Sequence, residues 1–224
     1  MGASSRLDIS AIESSLIAVQ NDFPCINKTL TTPRDVMTDQ VRGNMMAGYV
    51  RVDDALANGD DLFELGNSRQ LLELNILVLC GHAEKSRDDC ASQVALAERQ
   101  FYEQQGGGIA ALMEWLQHHN GDDVWKRAAG AYIHVLSRPQ LFFEGNHRTG
   151  ALMMSYMLAR EGKPPFVLSL DNAKAFFDPS TLAKERKRHS LGMMIQMPKL
   201  KKRFSKLLKA EANKRFLNRT GIDE

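Results

Sequence analysis

The chain contains few of the residues that mark secreted or disordered proteins. Its 224 residues include only three cysteines, Cys25, Cys80 and Cys90, which are odd in number and widely spaced. This usage argues against a disulfide scaffold and is typical of a reducing cytoplasm, where we expect the protein to be located. Only seven prolines interrupt the chain, and few segments alternate polar and apolar residues. An all-α protein is therefore predicted.

Long hydrophobic runs are also absent from the sequence. No segment reaches the roughly 20 consecutive apolar residues of a membrane-spanning helix, so no transmembrane segment is expected. Residues 1–6 lack the apolar core of a signal peptide, and Arg6 stands where a myristoylation pattern requires Ser or Thr. Hydrophobic residues nevertheless make up 43% of the chain, enough to bury one substantial core.

The first half of the chain shows apolar residues at helical spacing. Asp8 is a plausible N-terminal cap of the first helix, and Pro33 fits the first turn of the second. Three glycines at 106–108 separate this N-terminal helical region, 1–108, from the rest of the chain. Helices are expected over residues 9–20, 33–58, 68–80 and 86–105.

The most informative segment is 142–150, which reads Phe-Phe-Glu-Gly-Asn-His-Arg-Thr-Gly. Good helix formers follow it, so the segment lies where a helix begins and where unpaired backbone N–H groups favour an anion. Gly145 lets the backbone approach a phosphate closely, and Arg148 adds a forked cation. Glu144 is placed to hold a Mg²⁺ ion that bridges phosphate oxygens. The segment therefore predicts phosphate chemistry.

This segment resembles the central motif of the Fic/Fido family, H-x-F-x-[DE]-G-N-x-R-x-x-R. The matching positions are Phe142, Glu144, Gly145, Asn146 and Arg148. The similarity extends from about 109 to 166 and implies a single helical Fic-like core over 109–183, with the motif at 140–151. It also implies that ATP or another nucleotide binds with Mg²⁺, and that AMP or a related nucleotidyl or phosphoryl group is transferred to a hydroxyl of a protein target.

The resemblance assigns roles to individual residues. Glu144 would hold the metal, and Gly145, Asn146 and Arg148 would bind the phosphates. Downstream of the motif, Asn172 is a candidate contact to the base or ribose, although a helix cap at Asp171 is the simpler interpretation.

Two motif positions depart from the family's pattern. Gln140 stands in the place of the catalytic His, and Ala151 in the place of the final Arg. Glutamine is not titratable, so Gln140 can only orient an acceptor. The near-neutral reference pKa of histidine makes His147 the candidate base within the motif, although a local hydrogen-bonding role in the first helical turn fits it equally well.

Several functions stay open at this point. The chain is either a Mg²⁺-dependent transferase with His147 as base, or a transferase for a group other than AMP. Alternatively, it is a catalytically impaired relative that binds a nucleotide or phosphate ligand as an interaction module.

The second predicted helix carries a further point of resemblance. Residues 38–44 come close to the family's inhibitory pattern, [ST]-x-x-x-E-[GN], but Arg42 stands in the place of the Glu. The usual clamp on the final Arg is therefore missing at both ends. Gly43 in a helix costs about 1 kcal/mol relative to Ala. The glycine is explained by close helix packing, by a relaxed autoinhibitory helix or by an engineered change. The alternative is that this helix is purely structural and matches the inhibitory pattern by chance.

The C-terminal region, 184–224, differs from the rest in charge. Between Lys184 and Arg219 it holds thirteen Lys or Arg against two acids, a net +11, whereas the whole chain carries only +2. Leu200, Phe204, Leu207 and Leu208 fall on one helical stripe, which predicts a basic helical extension. Such a helix either packs its apolar face on the acidic body, or binds an acidic partner, a nucleic acid or an acidic membrane surface.

Overall fold

The computed structural model describes residues 5–64, 66–83, 88–103, 107–185 and 191–219. This part of the chain contains nine α-helices and one two-stranded antiparallel sheet, so the predicted all-α class is confirmed. The strands are β1 (Ser5–Leu7) and β2 (Leu217–Arg219), and a 3₁₀ turn, Lys214–Phe216, precedes β2. The helices are α1 (Ile9–Thr29), α2 (Asp39–Asn58), α3 (Ser68–Cys80), α4 (Ala91–Glu103), α5 (Gly108–His118), α6 (Val124–Leu136), α7 (Asn146–Arg160), α8 (Ala173–Glu185) and α9 (Leu191–Ala210).

Helix α7 lies at the centre of the fold. Every residue from Ala151 to Ala159 is buried, as expected for a helix that is surrounded by others. Helices α2, α3 and α6 all pack against it. The polar group of Ser155 is satisfied within this core, because its hydroxyl donates to the carbonyl of Phe166 at 2.6 Å. The motif loop that precedes α7 is therefore attached to the most buried element of the protein.

Two glycines of α2 have opposite surroundings. A Cβ atom on Gly48 would lie 2.3 Å from Cδ1 of Leu152, so only glycine lets α2 approach α7 this closely. A Cβ atom on Gly43 would have no heavy atom within 4 Å. Close helix packing is therefore the wrong explanation for Gly43, although it holds for Gly48.

The two strands join the ends of the described chain. Strand β1 pairs with β2, with Leu7 opposite Leu217. Asp53 of α2 holds β1 in place, since its carboxylate accepts from the Arg6 side chain at 2.9 Å and from the backbone N–H of Leu7 at 2.7 Å. The N-terminal region and the basic C-terminal region are thus directly connected.

The first two helices differ from the sequence prediction at their inner ends. Helix α1 continues to Thr29 through Pro24, because its buried stripe extends past Val19 to Phe23 and Ile26. Helix α2 begins at Asp39 rather than at Pro33, with the hydroxyl of Thr38 accepting from a backbone N–H of the first turn. Residues 33–38 instead form a connector without helical structure. Helix α3 has the predicted bounds, whereas residues 86–87 and 104–105 of the predicted helix 86–105 lie outside the described residues.

The basic helix α9 packs on the body of the protein. Leu200, Phe204 and Leu208 are buried, and the Phe204 ring lies 5.0 Å from that of Tyr132 in α6. Lys201 forms an ion pair with Asp122 at 2.7 Å and lowers the pKa of that carboxyl. The apolar face of α9 thus packs on the body of the protein, which is one of the two alternatives that the sequence left open. Five basic side chains are exposed on α9, Lys199, Lys202, Arg203, Lys206 and Lys209. Lys209 pairs with Asp123 at 3.1 Å, and an acidic or nucleic-acid partner for the other four stays a prediction.

The sequence predicted no transmembrane segment. None of the helices in the described ranges is long and apolar enough to cross a bilayer.

Candidate functional site

The motif loop requires glycine at the start of α7. Gly145 has a φ of 77°, in the left-handed region, and precedes the first helical residue. The side chain of Asn75 in α3 lies directly beneath the loop. Its Nδ2 donates to the Glu144 carbonyl and to Oγ1 of Thr149, both at 2.9 Å. A Cβ atom on Gly145 would lie 2.9 Å from this Nδ2, so both the conformation and the space exclude a larger residue.

Asn146 holds the loop closed with its side chain. Its Oδ1 accepts from the backbone N–H of Phe142 at 3.0 Å, and its Nδ2 donates to the carbonyl of the same residue at 2.7 Å. Both ends of the amide are therefore occupied, and the side chain is buried. The predicted phosphate contact of Asn146 is accordingly limited to its backbone N–H at the start of α7, because the side chain serves to position the loop.

The α7 N-terminus opens into a cavity of about 340 Å³. Such a volume lies at the lower end of the range of small-molecule sites. The wall is mostly apolar and is built from α1, α2, α8 and the segment between α7 and α8. The apolar lining includes Phe23, Val41, Met45, Phe166, Phe176 and Phe177.

Three cationic side chains line the same cavity, namely Arg34, Arg148 and Lys184. Nη1 of Arg148 donates to the carbonyl of Val78 in the last turn of α3 at 2.9 Å. Burial lowers the pKa of Arg148, against the opposing effect of the nearby Glu144 carboxylate. Within the described ranges, no carboxylate lies within salt-bridge distance of any of the three cations. The carboxylates of Asp35 and Glu144 also belong to the lining, so the three cations are only partly balanced and the cavity combines an apolar wall with an excess of positive charge.

The His147 ring contacts one of these cations and the hydroxyl of a tyrosine. Its Nε2 is 3.4 Å from Nη1 of Arg34, and its Nδ1 is 3.0 Å from the hydroxyl of Tyr132. A guanidinium can only donate, so Nε2 accepts and the proton of the neutral ring is assigned to Nδ1. Burial, followed by repulsion from Arg34, Lys184 and Arg148, lowers the pKa of His147 to about 3.

This environment corrects the expectation of a near-neutral His147. A base with so low a pKa is weakly driven to accept a proton from a hydroxyl group. Its acceptor nitrogen also already faces a guanidinium. The alternative that the sequence left open, a hydrogen-bonding role at the first helical turn, describes the observed contacts better.

Gln140 and Glu144 complete the lining on the motif side. Nε2 of Gln140 donates to the Leu136 carbonyl at 3.2 Å, which fixes the side chain at the end of α6. The exposed Glu144 carboxylate accepts from the backbone N–H of Gly145 at 3.0 Å through one oxygen. Among the described residues, no group of three or more His, Cys, Asp or Glu could hold a metal ion. Glu144 thus fits a Mg²⁺ ion only if a ligand supplies further oxygens, as phosphates commonly do.

Asn172, the proposed base or ribose contact, lies elsewhere. Its Oδ1 accepts from the backbone N–H of Ser169 at 2.9 Å, and its Nδ2 donates to the Val167 carbonyl at 2.8 Å. Asn172 is buried and is not part of the cavity lining. It closes the turn before α8, which begins at Ala173, so Asn172 rather than Asp171 directly precedes the first helical residue.

The inhibitory-helix resemblance also has no counterpart at the site. Arg42 pairs with Asp39 of its own helix at 3.4 Å and does not line the cavity. Ala151, at the position of the family's final Arg, does line it.

Sequence reasoning missed four residues that shape the site: Arg34, Asn75, Tyr132 and Lys184. Arg34 and His147 are 113 residues apart in the chain, and no local pattern links them. Asn75 offered one weak signal, since it is an amide within an otherwise apolar stretch of α3. Lys184 was counted only as part of the basic C-terminal region.

No family model, curated protein or solved structure matches the chain.

Proposed function

We propose that the chain is a Fic-like protein that binds a nucleoside phosphate together with Mg²⁺, and that it has lost efficient transfer of the nucleotidyl group. The observation that carries the proposal is the set of three cations, Arg34, Arg148 and Lys184, around an apolar cavity at the N-terminus of α7. The motif resemblance suggests that the ligand is a nucleotide, and the charges and the apolar wall of the cavity support an anionic ligand independently of the resemblance.

Electrostatics favours an anionic ligand here. Cations that are partly withdrawn from water lose hydration energy, which a nearby anion restores. The first backbone N–H groups of α7 add donors and the positive end of the helix dipole. A phosphate group satisfies both requirements, and a base suits the aromatic wall formed by Phe176 and Phe177.

Glu144 is the residue that would hold the Mg²⁺ ion. A Mg²⁺ ion in a nucleotide site commonly uses one or two carboxylates together with phosphate oxygens and water, and this donor set fits that description. When bound, the ion neutralises phosphate charge. Gly145 and the clamp formed by Asn146 keep the loop in the shape that directs Glu144 to the cavity.

Group transfer is the second candidate, because Gln140 and Glu144 line the cavity together with the phosphate-binding cations. Transfer to a protein hydroxyl requires that the acceptor lose its proton. Gln140 cannot accept that proton, and His147 has a pKa of only about 3. Binding without efficient transfer therefore agrees best with the site, and the protein would then act as a nucleotide-responsive interaction module.

Calorimetric titration of the full chain with Mg²⁺ and the common nucleotides tests the binding proposal. Arg148→Gln is expected to weaken the bound nucleotide by about 1.5–3 kcal/mol, because one charge-assisted contact is lost. Arg203→Gln is the matched control, since it removes an exposed arginine of α9 outside the cavity. The proposal is refuted if the unmodified chain binds none of the nucleotides, or if the two variants weaken binding equally.

Mass spectrometry separates binding from transfer. After incubation of the chain and a cell lysate with each labelled nucleoside triphosphate and Mg²⁺, we expect no mass increase on the chain and no labelled lysate protein. A labelled target that disappears with Arg148→Gln would instead establish transfer.

A further inference from the structure

We propose that Arg34 binds the terminal phosphate of the nucleotide, so that the cavity selects nucleoside di- and triphosphates over monophosphates. This inference rests on the proposed nucleotide binding and adds a specificity-determining residue to it. Arg34 belongs to the connector between α1 and α2, outside the motif, and nothing in the motif resemblance points to it.

The connector positions Arg34 firmly. Its backbone N–H donates to Oδ1 of Asn27 at 2.7 Å, and its carbonyl accepts from Nδ2 of the same residue at 2.9 Å. The guanidinium extends to α8, where Nη2 donates to Oγ1 of Thr181 at 2.6 Å and to the Phe177 carbonyl at 3.1 Å. Nη1 reaches His147 at the start of α7. The side chain is thus fixed beside the first turn that carries the phosphate-binding motif.

The hydrogen bonding of Arg34 is nevertheless incomplete. Its Nε is buried and has no hydrogen-bond partner, and the contact from Nη1 to His147 is long, at 3.4 Å. The other acceptors, Thr181, Ser180 and the Phe177 carbonyl, are all uncharged. Asp35 and Glu144 line the same cavity, but no described carboxylate lies within salt-bridge distance of this guanidinium, so its charge is not paired directly, which favours an anion from solution.

The two arginines reach the cavity from different elements. Arg148 is tied to the last turn of α3 through Val78, whereas Arg34 is tied to α8 through Thr181. His147, which precedes Arg148 in the first turn of α7, contacts Arg34 directly. Arg148 and the N-terminus of α7 can together bind a single phosphate, so a monophosphate does not require a contact with Arg34. A chain of two or three phosphates carries more charge and extends further, so its end is matched by Arg34.

Calorimetric titration with AMP, ADP and ATP in the presence of Mg²⁺ tests this role. For Arg34→Gln we expect ADP and ATP to bind about 10–100-fold more weakly, because a charge-assisted contact is lost, with AMP changed by no more than about twofold. Arg34→Lys, which keeps the charge, is expected to recover part of the ADP and ATP affinity. If the glutamine variant does not fold, Arg34→Lys is compared with the wild type instead.

Thr181→Val is the matched control for a purely structural role of Arg34. It removes the shortest hydrogen bond of the guanidinium but leaves the charge in place, so the preference for ADP over AMP should persist. The inference is overturned if Arg34→Gln weakens all three nucleotides equally, if it weakens none, or if Thr181→Val abolishes the preference to the same extent. A wild-type chain that binds no nucleotide refutes the proposed function itself, whereas a wild-type chain that binds AMP, ADP and ATP equally refutes only the role of Arg34.

Discussion

The free energy of unfolding is expected to fall between pH 7.5 and pH 5, in part because His147 cannot take up a proton in the folded chain. The folded pKa is about 3, below the usual value of 6.5 that the unfolded chain retains. Below pH 6.5 the unfolded state therefore binds a proton that the folded state does not. The contribution of His147 to the free energy of unfolding is fully present above pH 6.5 and is lost as the pH falls towards 3.

The size of the effect follows from the two pKa values. At pH 5 the unfolded imidazole is almost fully protonated and the folded one is almost fully neutral, so the loss is about 2 kcal/mol relative to pH 7.5. His147→Gln removes the titration but keeps a side chain that can both donate and accept. The wild type should therefore lose about 2 kcal/mol more than this variant between the two pH values.

Urea denaturation at pH 5.0 and 7.5, for both chains, measures the difference. Comparison of imidazole NMR spectra between the two chains assigns the resonance of His147 among the six histidines of the protein. The reasoning is refuted if that resonance titrates near pH 6.5 and both chains respond equally to pH. His147 would then again be available as a general base.

Four further variants test the packing of α2 and the structure and chemistry of the motif. Gly48→Ala should destabilise the protein by about 1–3 kcal/mol through overpacking, whereas Gly43→Ala in the same helix should stabilise it by about 0.5–1 kcal/mol, both measured by urea denaturation. Equal effects of the two would contradict the packing account. Asn146→Ala should cost about 2–5 kcal/mol because two buried backbone groups lose their partner, and a change below 1 kcal/mol would argue against the clamp. Gln140→His should restore labelling from radioactive ATP if only the base is missing, whereas the wild type should give none. A Gln140→His chain that binds nucleotide but stays unlabelled would show that the cavity itself is unsuited to transfer.

The sequence predicted most helices because their signals are local. The 68–80 helix was predicted with its observed bounds, and the start of α7 was placed correctly at the glycine-containing motif. The errors lie where tertiary contacts outweigh local preference. The first helix was predicted to end at residue 20, but the buried stripe of α1 continues to Phe23 and Ile26, on both sides of Pro24. Pro33 suggested the start of α2, but the helix is capped by Thr38 and begins at Asp39, six residues later.

The candidate site was predictable only in part. The motif indicated Gly145 and Arg148, which the structure brings to one cavity with Gln140, Glu144 and His147. The internal hydrogen bonds of the Asn146 side chain depend on a loop geometry that spacing alone does not specify. The low pKa of His147 depends on burial and on charges from other elements, so a sequence pattern could not reveal it.

The most direct test of the central claim is a crystal structure of the full chain with Mg²⁺ and a non-hydrolysable ATP analogue. We predict that the phosphates lie at the N-terminus of α7, between Arg148 and Arg34, with the base against the aromatic wall and the metal beside Glu144. The proposed nucleotide binding would be contradicted if the cavity stayed empty at saturating concentrations of the analogue. It would also be contradicted if the analogue bound instead along the exposed basic face of α9.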